Sequence, residues 1–383
     1  MRLNQCHNTN DFRRLARRRL PAPIFHYIDG GADDEITMAR NTAAFDDIDL
    51  VPGVLAGVDA VDLSTTVLGR RLEMPLFMSP TAMQRLFHHD GEWALARAAA
   101  EFGTMFGVST IGTRSIEELG AMNDAPKLFQ IYVHNDPGLT RDLIARCREA
   151  RFDALALTVD TIVAGNRERD HVTGMTTPPR LTPQSLLSFL THPDWTLNYL
   201  LRDRFDLPNI SGTVDLGSKQ QSSVIDYING QMKRSISWDD AAAMIEEWGG
   251  PFAIKGVMSV DDARRAVDIG ASAIMVSNHG GRQLDGSRAP FDQLPAIADA
   301  VGGQVEIIVD GGIRRGTHVL KAIALGATAC SGGRLYLYAL AAGGTAGVRR
   351  ALSLLRDEME RDMLLMGCRR LQDLGHASVA SRR

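Results

Sequence analysis

Residues 306–334 read EIIVDGGIRRGTHVLKAIALGATACSGGR, and their order decides the fold. An apolar run from Glu306 to Gly312, rich in β-branched residues and closed by two glycines, has the length and composition of a strand buried on both faces. Arg315–Leu325 then spaces its apolar positions at the helical period, and Ala327–Gly333 is a second short run ended by two more glycines. Strand, helix and strand joined by short loops make a βαβ unit, whose two strands lie parallel.

The same rhythm extends toward the N-terminus. Runs of strand character occupy Pro75–Ala82, Thr104–Thr110, Leu128–Val133, Ala154–Asp160, Pro251–Val257 and Ala273–Gly280. Helical segments lie between them, among them Gly91–Glu101, Asp136–Ala150 and Val260–Ile269. Most strands start about 20 to 35 residues after the one before, and eight such units predict an α/β fold of the closed (β/α)8 TIM-barrel class. One gap breaks the spacing, between Thr161 and Gly250, and requires an insertion after strand 4. Its centre, 174–237, carries Pro178 and Pro179, an apolar stretch Leu186–Leu201 and a polar stretch Asn209–Ser223. A lid, a membrane-contact segment and a plain surface excursion all fit that composition. The expected organisation is one domain over 1–383: an N-terminal helical segment 1–74 covering one barrel end, the barrel 75–373, and the loop-4 insertion 174–237.

Composition sets the outer limits. A chain of 383 residues, 44% hydrophobic and 23% charged, buries roughly three quarters of its unfolded surface. Its net charge of −4 creates no field for nucleic acid, which is excluded as an expected partner. Cys6, Cys147, Cys330 and Cys368 are too scattered for a zinc site or a redox dithiol, so no metal is expected from them and the thiols are read as free. Arg13, Arg14, Arg17, Arg18 and Arg19 are followed by no apolar run, which predicts a basic amphipathic helix ending at Pro21 rather than a targeting signal. No stretch is long and apolar enough to span a bilayer.

Barrel enzymes place their chemistry at the C-terminal ends of the strands. Strand 6 ends in Ser277-Asn278-His279-Gly280-Gly281-Arg282, which presents a base and a guanidinium on one glycine-rich loop. Strand 4 ends in Thr158-Val159-Asp160, and Arg167 follows. Asp160 suits the orientation of an imidazolium, although a loop aspartate that caps backbone amides fits the local sequence equally well. Arg167 and Arg282 together match the geometry of a substrate carboxylate, against the plainer reading of two surface arginines. Strands 7 and 8 end in Asp310-Gly311-Gly312-Ile313-Arg314 and Gly332-Gly333-Arg334, where barrels bind phosphate. Lys255, inside an apolar strand, needs an anionic partner or ligand, and reads as a Schiff-base lysine or as a stabiliser of cofactor charge.

With these motifs in place the chain resembles the FMN-dependent L-2-hydroxy acid oxidase and dehydrogenase family, which includes glycolate oxidase, L-lactate dehydrogenase and mandelate dehydrogenase. The likeness runs from Leu15 to Leu374 and matches the family signature residue for residue over Ser277–Gln283. It includes Tyr27 to Ala32, Pro80 to Gln84, Gln130 to Tyr132, Thr158 to Thr161, Lys255 to Val257, Asp310 to Gly316 and Gly367 to Arg369. The resemblance implies FMN held by Pro80, Thr81, Ala82, Ser109, Gln130, Thr158 and Ser277 along its ring and ribityl chain. Lys255 would stabilise charge on the reduced ring. Asp310 would hold the ribityl hydroxyls, Arg314, Gly333 and Arg334 the phosphate, and Gly311 and Gly312 would also bind the cofactor. It also implies that Tyr27, Arg167 and Arg282 bind the substrate carboxylate, Tyr132 binds its hydroxyl, His279 is the base and Asp160 stabilises the imidazolium.

Two departures bear on the substrate. Ile111 stands where plant glycolate oxidase has a tryptophan, and Ala164 where it has a leucine, so the pocket has room for a lactate-like or larger, even aromatic, side chain. Leu335 replaces a frequent proline after the phosphate-binding arginine. Asp226 to Asn229, Trp238 and the Asn166 to Asp170 run look more like the bacterial lactate dehydrogenases. The family likeness implies a homotetramer. It leaves quinone, cytochrome and oxygen open as electron acceptors, and implies a cytoplasmic protein whose apolar insertion is placed for peripheral contact with the inner face of the cytoplasmic membrane. Two other classes stay open at this point: a phosphate-binding barrel lyase with Lys255 as Schiff base, and a flavin-binding protein without catalysis.

Overall fold

A computed structural model describes residues 1–175, 180–202, 205–210 and 232–382. Eight parallel strands close into a barrel: β1 (Leu76–Met78), β2 (Phe106–Ser109), β3 (Lys127–Ile131), β4 (Ala154–Thr158), β5 (Phe252–Val257), β6 (Ala273–Ser277), β7 (Glu306–Asp310) and β8 (Ala329–Gly332). Each falls inside or within a residue of a run read from the sequence. Several predicted runs extend further at their C-terminal ends, because the residues there build the site instead of continuing the ladder. Helices Glu92–Phe102, Pro137–Glu149, Val260–Asp268 and Gly316–Ala324 follow their strands as expected.

Alternation along the strands separates two cores. Ala154, Ala156, Ala253, Ala273, Met275, Ile308 and Ala329 join one buried cluster, while their neighbours Leu155, Leu157, Ile254, Ile274, Val276 and Val309 join the larger one with the surrounding helices. The first set fills the barrel and the second faces outward, as a period of two requires. Small alanines on the inside leave room for a plug. Val67, Leu68 and Leu72, from the hairpin Thr65–Val67/Arg70–Leu72, belong to the inner cluster and close the N-terminal end of the barrel. The backbone N–H of Leu68 donates to the Glu306 carboxylate at 2.7 Å, at the first residue of β7.

The opposite, C-terminal end is covered by helices Thr9–Arg19, Ala22–Asp29 and Ile36–Ala43. The first ends just before Pro21, where the basic run predicted it to end. Asn41 and Asn278 exchange side-chain amide hydrogen bonds of 2.8 and 2.7 Å, and Ala32 N–H donates to Gly281 O at 2.8 Å. These bonds tie the N-terminal segment to the loop after β6. The 1–74 segment thus serves both ends of the barrel, not the single end anticipated.

The excursion after β4 includes helices Glu168–Thr173, Pro183–Leu190 and Pro193–Leu201. Thr182 caps the second of these by accepting from Ser185 N–H at 3.2 Å, and a proline opens each of the last two, where a missing N–H costs nothing. The apolar stretch 186–201 is therefore two helices separated at Thr191 and His192, not one segment. Asp226 to Asn229, Pro178 and Pro179, and most of the polar stretch lie outside the described residues. Among the described residues no helix is long and apolar enough to cross a membrane.

Candidate active site

The C-terminal mouth holds a cavity of about 1360 Å³, counting the solvent at its opening. Tyr27, Tyr132, Arg167, His279 and Arg282 line it, as do Pro80, Thr81, Ala82 and Lys255. Asp310, Gly311, Gly312, Arg314, Gly333 and Arg334 complete the wall from the β7 and β8 loops. Asp160, Ser109, Gln130, Thr158 and Ser277 stand outside this lining, at the ends of β2, β3, β4 and β6.

His279 Nδ1 lies 3.0 Å from Asp160 Oδ1. With Nδ1–H engaged by the carboxylate, Nε2 is the nitrogen left for chemistry at the cavity. His279 has φ 57°, a left-handed conformation uncommon for a side chain of this size, and it is held there by Ser277 Oγ, which accepts from the His279 backbone N–H at 3.2 Å. Asp160 is set in turn from behind. Gly256 adopts φ 110° at the irregularity in β5, and a Cβ there would come within 2.8 Å of Asp160 Cβ, so only glycine admits the carboxylate. Gln283 Nε2 donates to the carbonyls of Asp160 and Val163 at 3.0 and 2.8 Å. Burial alone would raise the Asp160 carboxyl, but the charges of His279 and Lys255 outweigh it and lower the pKa, so Asp160 stays ionised.

Lys255 Nζ sits 2.9 Å from Asp310 Oδ2 and donates to Ser277 Oγ at 3.1 Å. Asp310 also accepts from Ser277 Oγ and Ser331 Oγ, both at 2.7 Å, and from Ser79 Oγ. Burial would raise Asp310, yet the Lys255 charge and the hydroxyls of Ser79 and Ser277 hold it down at about 2. Burial likewise works to lower Lys255, but Asp310 and Asp160 push it above the usual lysine range. An ammonium fixed in this way is a poor Schiff-base nucleophile, which needs the neutral amine.

The arginines form two groups. Arg167 and Arg282 lie over the ring of Tyr27, at 5.6 and 5.1 Å from its centroid. Arg282 donates to the carbonyls of Tyr27 and Gly30, at 2.7 and 3.0 Å, and Arg167 pairs with Asp170 at 2.7 Å. Burial and the neighbouring Arg167 charge lower Arg282 to about 10, the signature of crowded cations that an incoming carboxylate would relieve. Burial lowers Arg314 and Arg334 as well. Arg334 is braced by the carbonyls of Ile28, Gly280 and Gly30, at 2.9, 2.7 and 2.6 Å. Tyr132 is half-buried, and its desolvation with the Asp160 charge raises its phenol, which keeps it a proton donor.

Several orphaned groups fit a bound cofactor. Gln130 Nε2 and Thr158 Oγ1 are buried without a hydrogen-bond partner, at the ends of adjacent strands, while Gln130 Oε1 accepts from Ser109 Oγ at 3.0 Å. Buried donors of this kind are costly unless a ligand satisfies them. Gly312, at φ 75°, lies so close to Asn41 O that any side chain would overlap it. A flat polar ring, a polyol and a phosphate match this wall of amide, hydroxyls, ammonium, carboxylate and half-buried guanidiniums.

Residues 16–381 match the FMN-dependent dehydrogenase family. The chain belongs to that family. An L-lactate oxidase of Nostoc sp. is 42% identical over 371 residues, covering 96% of each chain. Glycolate oxidase of Spinacia oleracea is 38% identical over 377 residues, 98% of this chain and 95% of that one. The crystal structure of the monotopic membrane protein (S)-mandelate dehydrogenase superposes with a TM-score of 0.94 at 32% identity, over 99% of this chain and 100% of the other. The chain is thus a flavoprotein oxidoreductase of a family that acts on 2-hydroxy acids and uses FMN.

Sequence reasoning missed the supporting shell of this family site. Ser79 and Ser331 flank Asp310 from β1 and β8, and their place at strand ends was the available signal. Tyr336 holds Thr81 Oγ1 at 2.9 Å, and Asn41 clasps Asn278 across 237 residues of chain, a pairing with no local signature.

Proposed function

We propose that this enzyme oxidises an L-2-hydroxy acid with a side chain at least as large as lactate's to its 2-oxo acid, with His279 as the base. The observation that carries this reading is the His279–Asp160 pair opening on the same cavity as the crowded Arg167–Arg282 pair. The two guanidiniums receive the substrate carboxylate, with Tyr27 beneath them. Tyr132 donates to the substrate oxygen. His279 Nε2 takes the proton, and ionised Asp160 stabilises the imidazolium through Nδ1–H.

FMN, held by Thr81, Ala82, Gln130, Thr158, Lys255, Asp310, Arg314 and Arg334, supplies the two-electron acceptor when bound. Lys255 keeps a positive charge where negative charge develops on reduction. Its pairing with Asp310 argues against the Schiff-base lyase, since protonation blocks nucleophilic attack. Ile111, Val163, Ala164 and Met232 line the substrate end and leave room for an aromatic group. The test is an anaerobic spectrum with L-lactate, L-mandelate and glycolate added in turn. Fast bleaching by the first two is expected; a clear preference for glycolate would defeat the substrate assignment, and no bleaching by any of them would defeat the reaction.

The excursion after β4 favours a membrane-side acceptor, quinone or cytochrome, over oxygen. Leu190, Leu200 and Leu201 are 77%, 68% and 78% exposed, and Leu186, Leu187 and Leu197 are also exposed on the same two helices. An apolar face of this size on a surface segment marks an interaction site. Slow reoxidation in air together with flotation on vesicles is expected, and rapid reoxidation without flotation would reassign the enzyme as a soluble oxidase.

A further inference from the structure

Just beyond Phe87, which lines the flavin cavity, the loop after β1 carries His88, His89 and Asp90. The chemistry proposed above uses none of them. Their three donor atoms lie within 4.8 Å of one another. His88 Nδ1 is 3.7 Å from Asp90 Oδ2, and His89 Nε2 is 3.5 Å from Asp90 Oδ1. Ligand atoms ~2.0–2.1 Å from a tetrahedral zinc ion stand roughly 3.3–3.4 Å apart, so the three donors, which now face two different oxygens of Asp90, must draw together to hold one ion. We propose that His88, His89 and Asp90 form a binding site for a divalent transition ion of the zinc class.

The surroundings have the features of a built site. The imidazoles stack at 4.2 Å with 29° between their planes, and each brings one nitrogen within 3.7 Å of the Asp90 carboxylate. Asp90 is oriented from outside, where Thr345 donates to Oδ2 through Oγ1 at 3.1 Å and through its backbone N–H at 3.3 Å, as the partners of a metal-bound carboxylate do. Thr345 reaches it because the long helix Arg334–Met366 breaks at Gly343 and Gly344, where Gly344 has φ 54°. A Cβ on Gly344 would overlap the His88 ring and come within 2.8 Å of Asp90 Oδ2. The two histidines open on a second cavity beside helix Pro193–Leu201, which leaves space for solvent to complete the coordination.

Two features oppose the ion and define which ion it is. Asp90 N–H now donates to His88 Nδ1 at 3.2 Å, a bond the metal must replace. Arg18, Arg19 and Arg85 line the same cavity and repel cations. A site with one carboxylate and cationic neighbours rejects calcium and magnesium, which depend on charged oxygen ligands. An imidazole-seeking zinc-class ion gains from the two nitrogens instead.

The test uses tag-free, FMN-loaded protein titrated with Co2+, read in the visible region beyond the flavin bands. One equivalent per chain with tetrahedral bands, displaced by Zn2+ but not by Mg2+, is expected. His89→Ala should weaken binding by more than the ~10- to 100-fold that loss of an outer-shell partner gives, while keeping its flavin and its bleaching by substrate. Asp90→Asn should do the same, and His89→Ala alone carries the test if that variant does not fold. Absence of a bound ion, or undiminished binding in His89→Ala, overturns the proposal.

Discussion

The barrel mouth and the excursion after β4 are built on opposite terms. At the mouth the carboxylates meet counter-charges: Asp160 faces His279, and Asp310 faces Lys255 with three hydroxyls around it. In helices Pro183–Leu190 and Pro193–Leu201, leucines stand in the open with nothing of this chain over them among the described residues. The mouth thus brings its paired groups together within the chain, whereas the two helices leave their leucines uncovered among the described residues. Burial makes Lys255 and Asp310 costly to change one at a time, and exposure makes each leucine nearly free to change as far as folding is concerned.

The sharpest way to break that contrast is at the base. His279→Gln should keep its flavin yet lose ~10²–10⁴ in the rate of flavin reduction, measured by stopped-flow absorbance. Asp310→Asn leaves the Lys255 ammonium buried without its partner, and unfolding in denaturant should show a loss of roughly 3–5 kcal/mol. Acid probes Asp310 together with Asp29, which pairs with Arg169 at 2.9 Å. Asp310 and Asp29 are held at about 2, below the unfolded carboxyl value. Their contribution is therefore intact above about pH 4 and lost as pH falls through 2, an effect on the order of 2–3 kcal/mol each. Equilibrium unfolding followed from pH 6 to pH 2 checks the sign.

Smaller effects belong to the substrate end and the excursion. Ile111→Trp should cost ~1–3 kcal/mol in kcat/KM for mandelate and much less for glycolate, which steady-state assays compare directly. Leu190→Glu should leave unfolding within about 0.5 kcal/mol of the parent while abolishing vesicle flotation. A large loss of stability there would mean the leucine face packs on the protein itself and would erase the contrast.

The same contrast explains what the sequence disclosed. Eight strands and their helices were legible because period and glycine punctuation are local properties, as in Glu306–Gly333. The candidate site residues were legible where a charged side chain interrupts an apolar strand, as Lys255 does, or ends one, as Asp310 does, or where a histidine follows just beyond it, as His279 does. Ser79 and Ser331 were not, because a serine at a strand end carries no charge to betray its partner. Nor was the Asn41–Asn278 clasp, or the division of 186–201 into two helices at Thr191 and His192. Long-range partners are set by the closure of the barrel, which no window of sequence contains.

That clasp also has a consequence in time. Arg282 reaches the carbonyl of Tyr27 across 255 residues, and Asn41 reaches Asn278 across 237. A ribosome adding about 5–20 residues per second releases Tyr27 some 13–51 s before Arg282 exists to receive it. The first helices, though translated earliest, are then among the last to dock, and during that interval their apolar faces are the part of the nascent chain most in need of a chaperone.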